Sequence, residues 1–433
     1  MANFEKIKKV ENPENSKKSE IPKKMAIQIF VLIFVILILA ETTFSWEILE
    51  LPEEKLRDQI ADVSGNSRTN FDFFDVENFG GKFLVAGGDG IILEIDPTTE
   101  NPEINLANFE DLSDAEIFEY IFRKILPIKN AVQVFGGGVQ QNSDGTENPL
   151  GVQFSNNFFE NPRFYFHEQK NVPAAFLESA AFFYDENNFP EIIIVGKNGA
   201  IFSKILYFEN LAAKIPPEIL AEKKIGSIEN VDFFDVVCDD AGNFCAVGGD
   251  GSQLGSNQKM PVIFSRKNGE WKIEHFFYPG KGALRCICSD GKNFLAAGEN
   301  GAIIFFDGEK WTEINFEYIS QINDIFAQNG QFFLAANLER IFRFDPRTQK
   351  IFLEKDKNLS RNQNLHGISG SKNFLIAVGE NGKIILQKIA LQKKSIGDAI
   401  SILQILAGME NKKISKKMEM KNALQILQNL AAE

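Results

Sequence analysis

FLAAGENGAIIFFDGEKW, residues 294–311, reads as a strand, a tight turn, a second strand and the opening of a third. Asn300-Gly301 accepts positive φ in a two-residue hairpin, and apolar residues flank it at strand spacing. The phrase recurs as FLVAGGDGIILEID from Phe83, IIIVGKNGAIFSK from Ile192, FCAVGGDG from Phe244 and LIAVGENGKIILQK from Leu375, with weaker copies VQVFGGGVQQ from Val132 and FLAANLERIFRFD from Phe333. On the small residue before each turn (Gly88, Gly137, Gly196, Gly249, Gly298, Asn337, Gly379) the copies lie roughly 40 to 60 residues apart, the period of propeller blades. Asp89-Gly90, Asn198-Gly199, Asp250-Gly251 and Asn381-Gly382 supply the turn elsewhere; Asp89 and Asp250 therefore read as turn formers and not as ligands.

The sixth copy spells out a whole blade, because INDIFAQ, QFFLAAN, ERIFRFD and KIFLEKD are four consecutive strands between Ile322 and Asp356. Copies four and five add an outer strand opened by tryptophan, at Trp271 and Trp311. The seventh has none after Lys388, whereas WEILEL begins at Trp46 ahead of the first copy. Trp46 reads either as the start of a strand that closes the ring from the N-terminal side, hiding sheet edges that would invite aggregation, or as an interfacial aromatic beside a membrane segment. The expected architecture is an all-β, seven-bladed propeller over residues 66–390. With 44% hydrophobic residues the chain can bury a large core, and 41 Phe against 6 Tyr and 3 Trp point to packing between blades.

Met25 to Ala40, MAIQIFVLIFVILILA, is apolar apart from Gln28 and follows Lys17, Lys18, Lys23 and Lys24. Extended to residue 45 it is long enough to span a membrane, with Glu41 near its outer end. Lysines before the segment and Glu41, Glu47, Glu50, Glu53 and Glu54 after it place the N-terminus in the cytoplasm and the propeller outside. A cleaved signal ending at Ala40 or Ser45 is the other reading, and it makes the protein secreted. The expected organisation is a basic cytoplasmic tail (1–24), a signal-anchor (25–45), a linker with the candidate closing strand (46–65), the propeller (66–390) and a small α-helical module (391–433).

The net charge of −13 is unevenly spread: residues 1–24 and 391–433 each carry an excess of three positive charges, which leaves −19 between them. Such an acidic propeller has no electrostatic footprint for phosphate backbones, and nucleic acid is not an expected partner. Cationic ligands or basic protein surfaces fit it better, although acidity also serves solubility alone. Cys238 and Cys245 flank the turn DDAGNF and could form a disulfide across a hairpin, while Cys286 and Cys288 share one face of a strand; buried thiols are the alternative for all four. His167, His275 and His366 do not lie at ligand spacing, so no metal is expected.

Aligning the copies on their turns brings Asp75, Asp235, Arg285, Asp324 and His366 to one register at the opening of the innermost strands. Innermost strands line a propeller's channel, so these five are the candidate ligand-binding residues at its mouth, with Asp72 and Asp232 of the twin sequences DFFDV beside them. The competing reading is structural, since aspartates at loop-to-strand junctions bond to backbone amides. No nucleophile elbow, HExxH, phosphate loop or Ser/His/Asp spacing is present, and no cofactor is implied.

AVGENGKIILQK and LAAGENGAIIFFDGEKW resemble the repeat of the YVTN and bacterial-neuraminidase-repeat propellers, most nearly that of the photosystem II stability/assembly factor-like group. That resemblance implies a propeller over about residues 66 to 390 and a role in assembling membrane complexes. The sialidase-like side of the class uses an arginine triad, a tyrosine and Asp-box turns. Here Asp307-Gly308-Glu309-Lys310-Trp311 and Asn268-Gly269-Glu270-Trp271 are degenerate Asp boxes and no matching arginines occur. In the tail, DAISILQILAG from Asp398 and NALQILQNLAA from Asn422 resemble paired dockerin helices, which implies attachment to a scaffold; Lys413 and Ser415 stand where that family's calcium loop carries acids. The expected function is a membrane-anchored extracytoplasmic propeller binding a protein or glycan as a scaffold or assembly factor. The alternative is a secreted, sialidase-like glycan hydrolase whose carboxylates flank the channel mouth.

Overall fold

A computed structural model describes residues 46–52, 54 and, between 71 and 389, the strands and turns named below. All lie within one compact unit, Phe44–Ile389; the other unit, with the expected anchor and helical module, lies outside the described residues.

Seven sheets follow in chain order. Sheet 1 comprises Phe73–Phe79, Lys82–Gly87, Ile92–Asp96 and Glu103–Leu106, and sheet 3 Leu177–Tyr184, Pro190–Gly196, Ile201–Tyr207 and Glu218–Gly226. Sheet 4 comprises Val231–Cys238, Phe244–Asp250, Met260–Lys267 and Glu270–His275, and sheet 5 Leu284–Ser289, Phe294–Gly298, Ile303–Phe306 and Trp311–Glu313. Sheet 6 is Ile322–Gln328, Gln331–Ala336, Arg340–Asp345 and Lys350–Glu354, the four strands legible in the sixth copy. In sheet 7, Leu365–Ser371, Phe374–Gly379 and Ile384–Lys388 take Trp46–Leu49 as their fourth strand, antiparallel with Trp46 opposite Gln387 and Leu49 opposite Ile384. The first strand of each sheet is innermost; these inner strands contact one another in chain order and the last contacts the first.

The expected count of seven blades needs correction to six. Six sheets are four-stranded blades, but the second copy forms a five-stranded sheet 2, Ile121–Ile128, Ala131–Gln141, Glu147–Asn157 and Asn161–His167, with Asn108–Phe109 added parallel to the last. VQVFGGGVQQ lacks the Asn-Gly or Asp-Gly pair, so its hairpin does not turn at Gly137: the pairing runs on through Gly138 opposite Leu150 to Gln141 opposite Glu147. Four copies do turn as expected. Asp89 and Gly90, Asn198 and Gly199, Asn300 and Gly301, and Asn381 and Gly382 all have positive φ, between 53° and 72°, the signature of a primed hairpin turn. Asp250-Gly251 does not make this turn, because Asp250 is still a strand residue opposite Met260.

Strand alternation sends successive side chains to opposite neighbours. Leu295 and Ala297 pack with Phe332 and Leu334 of sheet 6, while Phe294 and Ala296 pack with Val247 and Ile263 of sheet 4. The largest fully buried side chains are all phenylalanines, among them Phe83, Phe244 and Phe332, which fill the wedge between adjacent sheets. The same alternation removes the expected Cys238–Cys245 disulfide. Cys245 lies opposite Val237, one residue out of line with Cys238, and faces sheet 5 while Cys238 faces sheet 3; none of the four cysteines is in a disulfide.

Trp46 is 3% exposed and packs with Phe333, Leu375 and Ile385. Replacing it with Ala should cost about 3–5 kcal/mol, read as a lower urea midpoint, whereas Glu47→Ala on the exposed face of the same strand should leave the midpoint within about 0.5 kcal/mol of wild type.

Candidate functional site

Every inner strand carries one extra residue at the same place. The register slips between Phe73 and Asp75, Phe122 and Lys124, Leu177 and Ser179, Phe233 and Asp235, Leu284 and Cys286, Ile322 and Asp324, and Leu365 and Gly367. Each slip is a β-bulge, which re-aims the extra side chain. The bulged residues are Phe74, Arg123, Glu178, Phe234, Arg285, Asn323 and His366. The residues after them, Asp75, Lys124, Ser179, Asp235, Cys286, Asp324 and Gly367, form a second set. The five expected site residues therefore belong to two registers: Asp75, Asp235 and Asp324 to the second, Arg285 and His366 to the bulged set. Alignment on the turns merged them because its reference residues differ by one: Gly298 and Gly379 pair with Leu284 and Leu365, whereas Gly88, Gly249 and Asn337 stand one residue past Gly87, Gly248 and Ala336, the partners of Phe73, Phe233 and Ile322.

The three aspartates tie each sheet to the next. Asp75 accepts hydrogen bonds from the Ile125 amide (2.7 Å) and Lys124 Nζ (3.4 Å). Asp235 accepts from Ser179 Oγ (2.6 Å), its neighbour's amide at Val236 (2.9 Å) and the Ile287 amide (2.8 Å). Asp324 accepts from the amides of Ile325 (2.8 Å) and Ile368 (2.7 Å). Sheets 1 and 2, 4 and 5, and 6 and 7 are stapled in this way. Lys124 also bonds Glu77 Oε1 at 2.8 Å, and Ser369 Oγ lies 3.4 Å from the other Glu77 oxygen. Burial pushes the carboxyls of Glu77, Asp235 and Asp324 upward, with Lys124 opposing. Burial alone would lower Lys124, but Asp75, Glu77, Asp235 and Asp324 outweigh it and hold the ammonium well above its ordinary range. These carboxylates spend acceptors on main-chain amides, which fixes their positions and neutralises buried donors.

The bulged set makes the mouth. Phe74 carries the Arg123 guanidinium 4.0 Å from its ring centre and the His366 ring at 5.6 Å, and Arg123 reaches Glu178 at 3.9 Å. Phe234 carries the Arg285 guanidinium at 3.9 Å and Lys259 at 5.9 Å, while Arg285 bonds Glu299 through Nε (2.9 Å) and Nη2 (2.5 Å). The twin DFFDV sequences thus build two matching Phe–Arg stacks, each with the arginine of the following sheet. Asp72 and Asp232 brace them from behind, accepting the amides of Asn381 (3.0 Å) and Asn198 (2.9 Å) in the turns of the preceding sheets. Burial and the nearby Arg123 lower the pKa of His366, against Glu380 3.7 Å away. Phe74, Arg123, Lys124 and Phe234 are absent from the residues expected at the mouth; the duplication of DFFDV signals Phe74 and Phe234, and nothing comparable marks Arg123 or Lys124.

No known family profile and no curated relative matches the chain. Solved structures do match. YCF48 from Cyanidioschyzon merolae has a TM-score of 0.52 at 16% identity, covering 79% of this chain and 98% of that one. A structure described as YCF48 bound to D1 peptide gives 0.51 at 14% identity, over 81% and 97% of the two chains. A catalytically inactive variant of virginiamycin B lyase from Staphylococcus aureus with quinupristin gives 0.51 at 11% identity, over 80% and 99%. The shared feature is the propeller fold.

Groups whose folded pKa is raised stabilise the fold on the acid side and lose that contribution as pH rises through the folded value. Asp324 is such a group, held upward first by burial, and relative to Asp324→Asn the wild-type protein should lose stability as pH rises above the ordinary carboxylate range. His366, with its lowered pKa, acts in the opposite sense over this range in both proteins, so the difference between their melting temperatures is the readout. A difference independent of pH would show that Asp324 titrates as an ordinary carboxylate.

Proposed function

We propose that this protein is a membrane-anchored, extracytoplasmic, non-catalytic propeller that holds a segment of a protein partner across the mouth formed by its bulged residues, as a scaffold or assembly factor. The observation carrying this reading is the pair of Phe–Arg stacks, Phe74 with Arg123 and Phe234 with Arg285, set in one ring of seven bulges. Arginine and aromatic side chains are the types that dominate the energetics of protein interfaces. A protein partner fits better than a glycan, because both phenylalanine faces are occupied by cations of the propeller itself. The YCF48 structure bound to D1 peptide is a propeller of similar fold with a peptide ligand, and it supports the same mode of use. Arg285 and His366 are then contact residues, while Asp75, Asp235 and Asp324 position the strands that present them. The apolar run 25–40 supports anchoring with the propeller outside, and residues 391–433, with apolar residues repeating at helical spacing, would supply a second contact module.

A photo-crosslinking amino acid placed at Asn323 in the full-length protein, within its native membrane fraction, tests the reading. One polypeptide should be captured there, and capture should fall at least about tenfold in a Phe234→Ala/Arg285→Ala variant, as expected for loss of two interface anchors. Equal capture from a probe at Lys350, on the outer strand of sheet 6, would overturn it.

A further inference from the structure

The sixth turn breaks the rule that its sisters keep. Where sheets 1, 3, 5 and 7 place Asp or Asn and then Gly at the two positive-φ positions, sheet 6 places Leu338 (φ 63°) and Glu339 (φ 54°). Neither residue is suited to the left-handed region, where a Cβ crowds the following carbonyl oxygen. The turn is nevertheless held firmly. The Glu339 amide bonds the Gln363 carbonyl at 2.8 Å, the Leu338 amide bonds Asn364 Oδ1 at 3.2 Å, and the Glu339 carboxylate turns inward to meet Lys383 at 3.5 Å. Leu338 is what this arrangement presents, 43% exposed. An asparagine at that position would satisfy the backbone better and expose no apolar surface, so nothing in the fold calls for leucine.

A second exposed apolar side chain stands on the connection that leads into the same sheet, joined to that turn through Arg340. Tyr318, 42% exposed, lies in the connection from sheet 5 to sheet 6. Its ring rests on Phe316 (5.4 Å) and Phe342 (5.3 Å), and the Arg340 guanidinium lies 5.8 Å from its centre. Arg340 closes the turn that carries Leu338. The Gly301 amide, in the turn of sheet 5, bonds the Ser320 carbonyl, and the Asn337 amide bonds the Gln321 carbonyl (3.0 Å), which ties this connection to both turns on the mouth side.

We propose that Leu338 and Tyr318 form an apolar anchor on the mouth that takes a hydrophobic side chain of the bound protein segment, with an acidic group of that segment beside Arg340. This rests on the reading of the mouth as a protein-binding face and specifies what it binds. The strained, pinned turn fixes Leu338 before the partner arrives, which lowers the ordering cost of binding. The guanidinium against Tyr318 selects a carboxylate next to the hydrophobic residue by charge complementarity.

The probe is a library of random 12-residue peptides displayed on phage and panned on the full-length protein, followed by affinity measurement on the synthesised winners. Peptides with a large apolar residue next to Asp or Glu should be enriched. Leu338→Asn should bind them at least about tenfold more weakly, although its melting temperature should rise by about 2 °C because strain is relieved. Tyr318→Ser should weaken binding in the same way. Winners that bind Leu338→Asn as tightly as wild type, yet lose affinity for Phe234→Ala/Arg285→Ala, would overturn the anchor and leave the protein-binding mouth standing. A library from which wild type enriches nothing would overturn both.

Discussion

One main-chain carbonyl per sheet sets the geometry on which the mouth depends. Two residues before the bulge, the carbonyls of Asp72, Ala283, Gln321 and Asn364 reach across to the amides of Gly88, Glu299, Asn337 and Glu380 at the entrance of the turn. In five sheets the approach is so close that a Cβ on the preceding residue of the second strand would overlap it, while sheet 6 carries Ala336 there. Gly87, Gly298 and Gly379 stand at that place, and Gly136 and Gly248 stand equivalently against the carbonyls of Ile121 and Asp232. In these five sheets the glycine before the turn is therefore required by packing against a neighbouring strand and not by its own backbone angles. With this contact made, the bulge follows, and one side chain per sheet is turned toward the mouth.

Behind that ring, the charged interior is organised by position more than by sign. Asp75, Asp235 and Asp324 each join one sheet to the following one through a main-chain amide, and Lys124 meets Asp75 and Glu77 from the second sheet. Buried groups with this many partners act as a unit: removing one leaves an unpaired amide or an unpaired charge. They are better understood as what keeps the inner strands in register than as chemistry waiting for a substrate. The mouth residues, by contrast, are partly exposed and meet one another through aromatic faces and guanidinium groups, contacts that a partner can extend.

Much of this was legible from residues alone. The GENG and GGDG phrases specified hairpins, and their period specified a propeller, because a turn with two positive-φ positions accepts few dipeptides. Where that chemistry is missing the reading failed, and VQVFGGGVQQ became an elongated hairpin in a five-stranded sheet; where it is present at Asp250-Gly251 it failed as well, because pairing runs on through Asp250 opposite Met260. Arg285 and His366 fall one residue out of register with the three aspartates, since runs such as Gly87-Gly88 and Gly248-Gly249 do not show which of two small residues pairs with the inner strand. The pairing of Cys238 with Cys245 failed on strand parity, which a hairpin count one residue in error reverses. Phe74 and Phe234 went unselected because phenylalanine is this chain's ordinary filler, and only their neighbours distinguish them from the buried ones.

Trp46–Leu49 completes a sheet whose other three strands end at Lys388. A chain emerging from the ribosome therefore holds its first strand without a partner until nearly everything after it has been synthesised. The ring is open throughout elongation, and six sheets can stack before the seventh exists. Closure joins residues more than 330 positions apart, so it is a late, slow event in folding, governed by the search for a distant segment and not by local hairpin formation. Until then both the strand and its vacant edge must be kept from other chains, and the chain is most exposed to mispairing in the interval before Ile384–Lys388 is made.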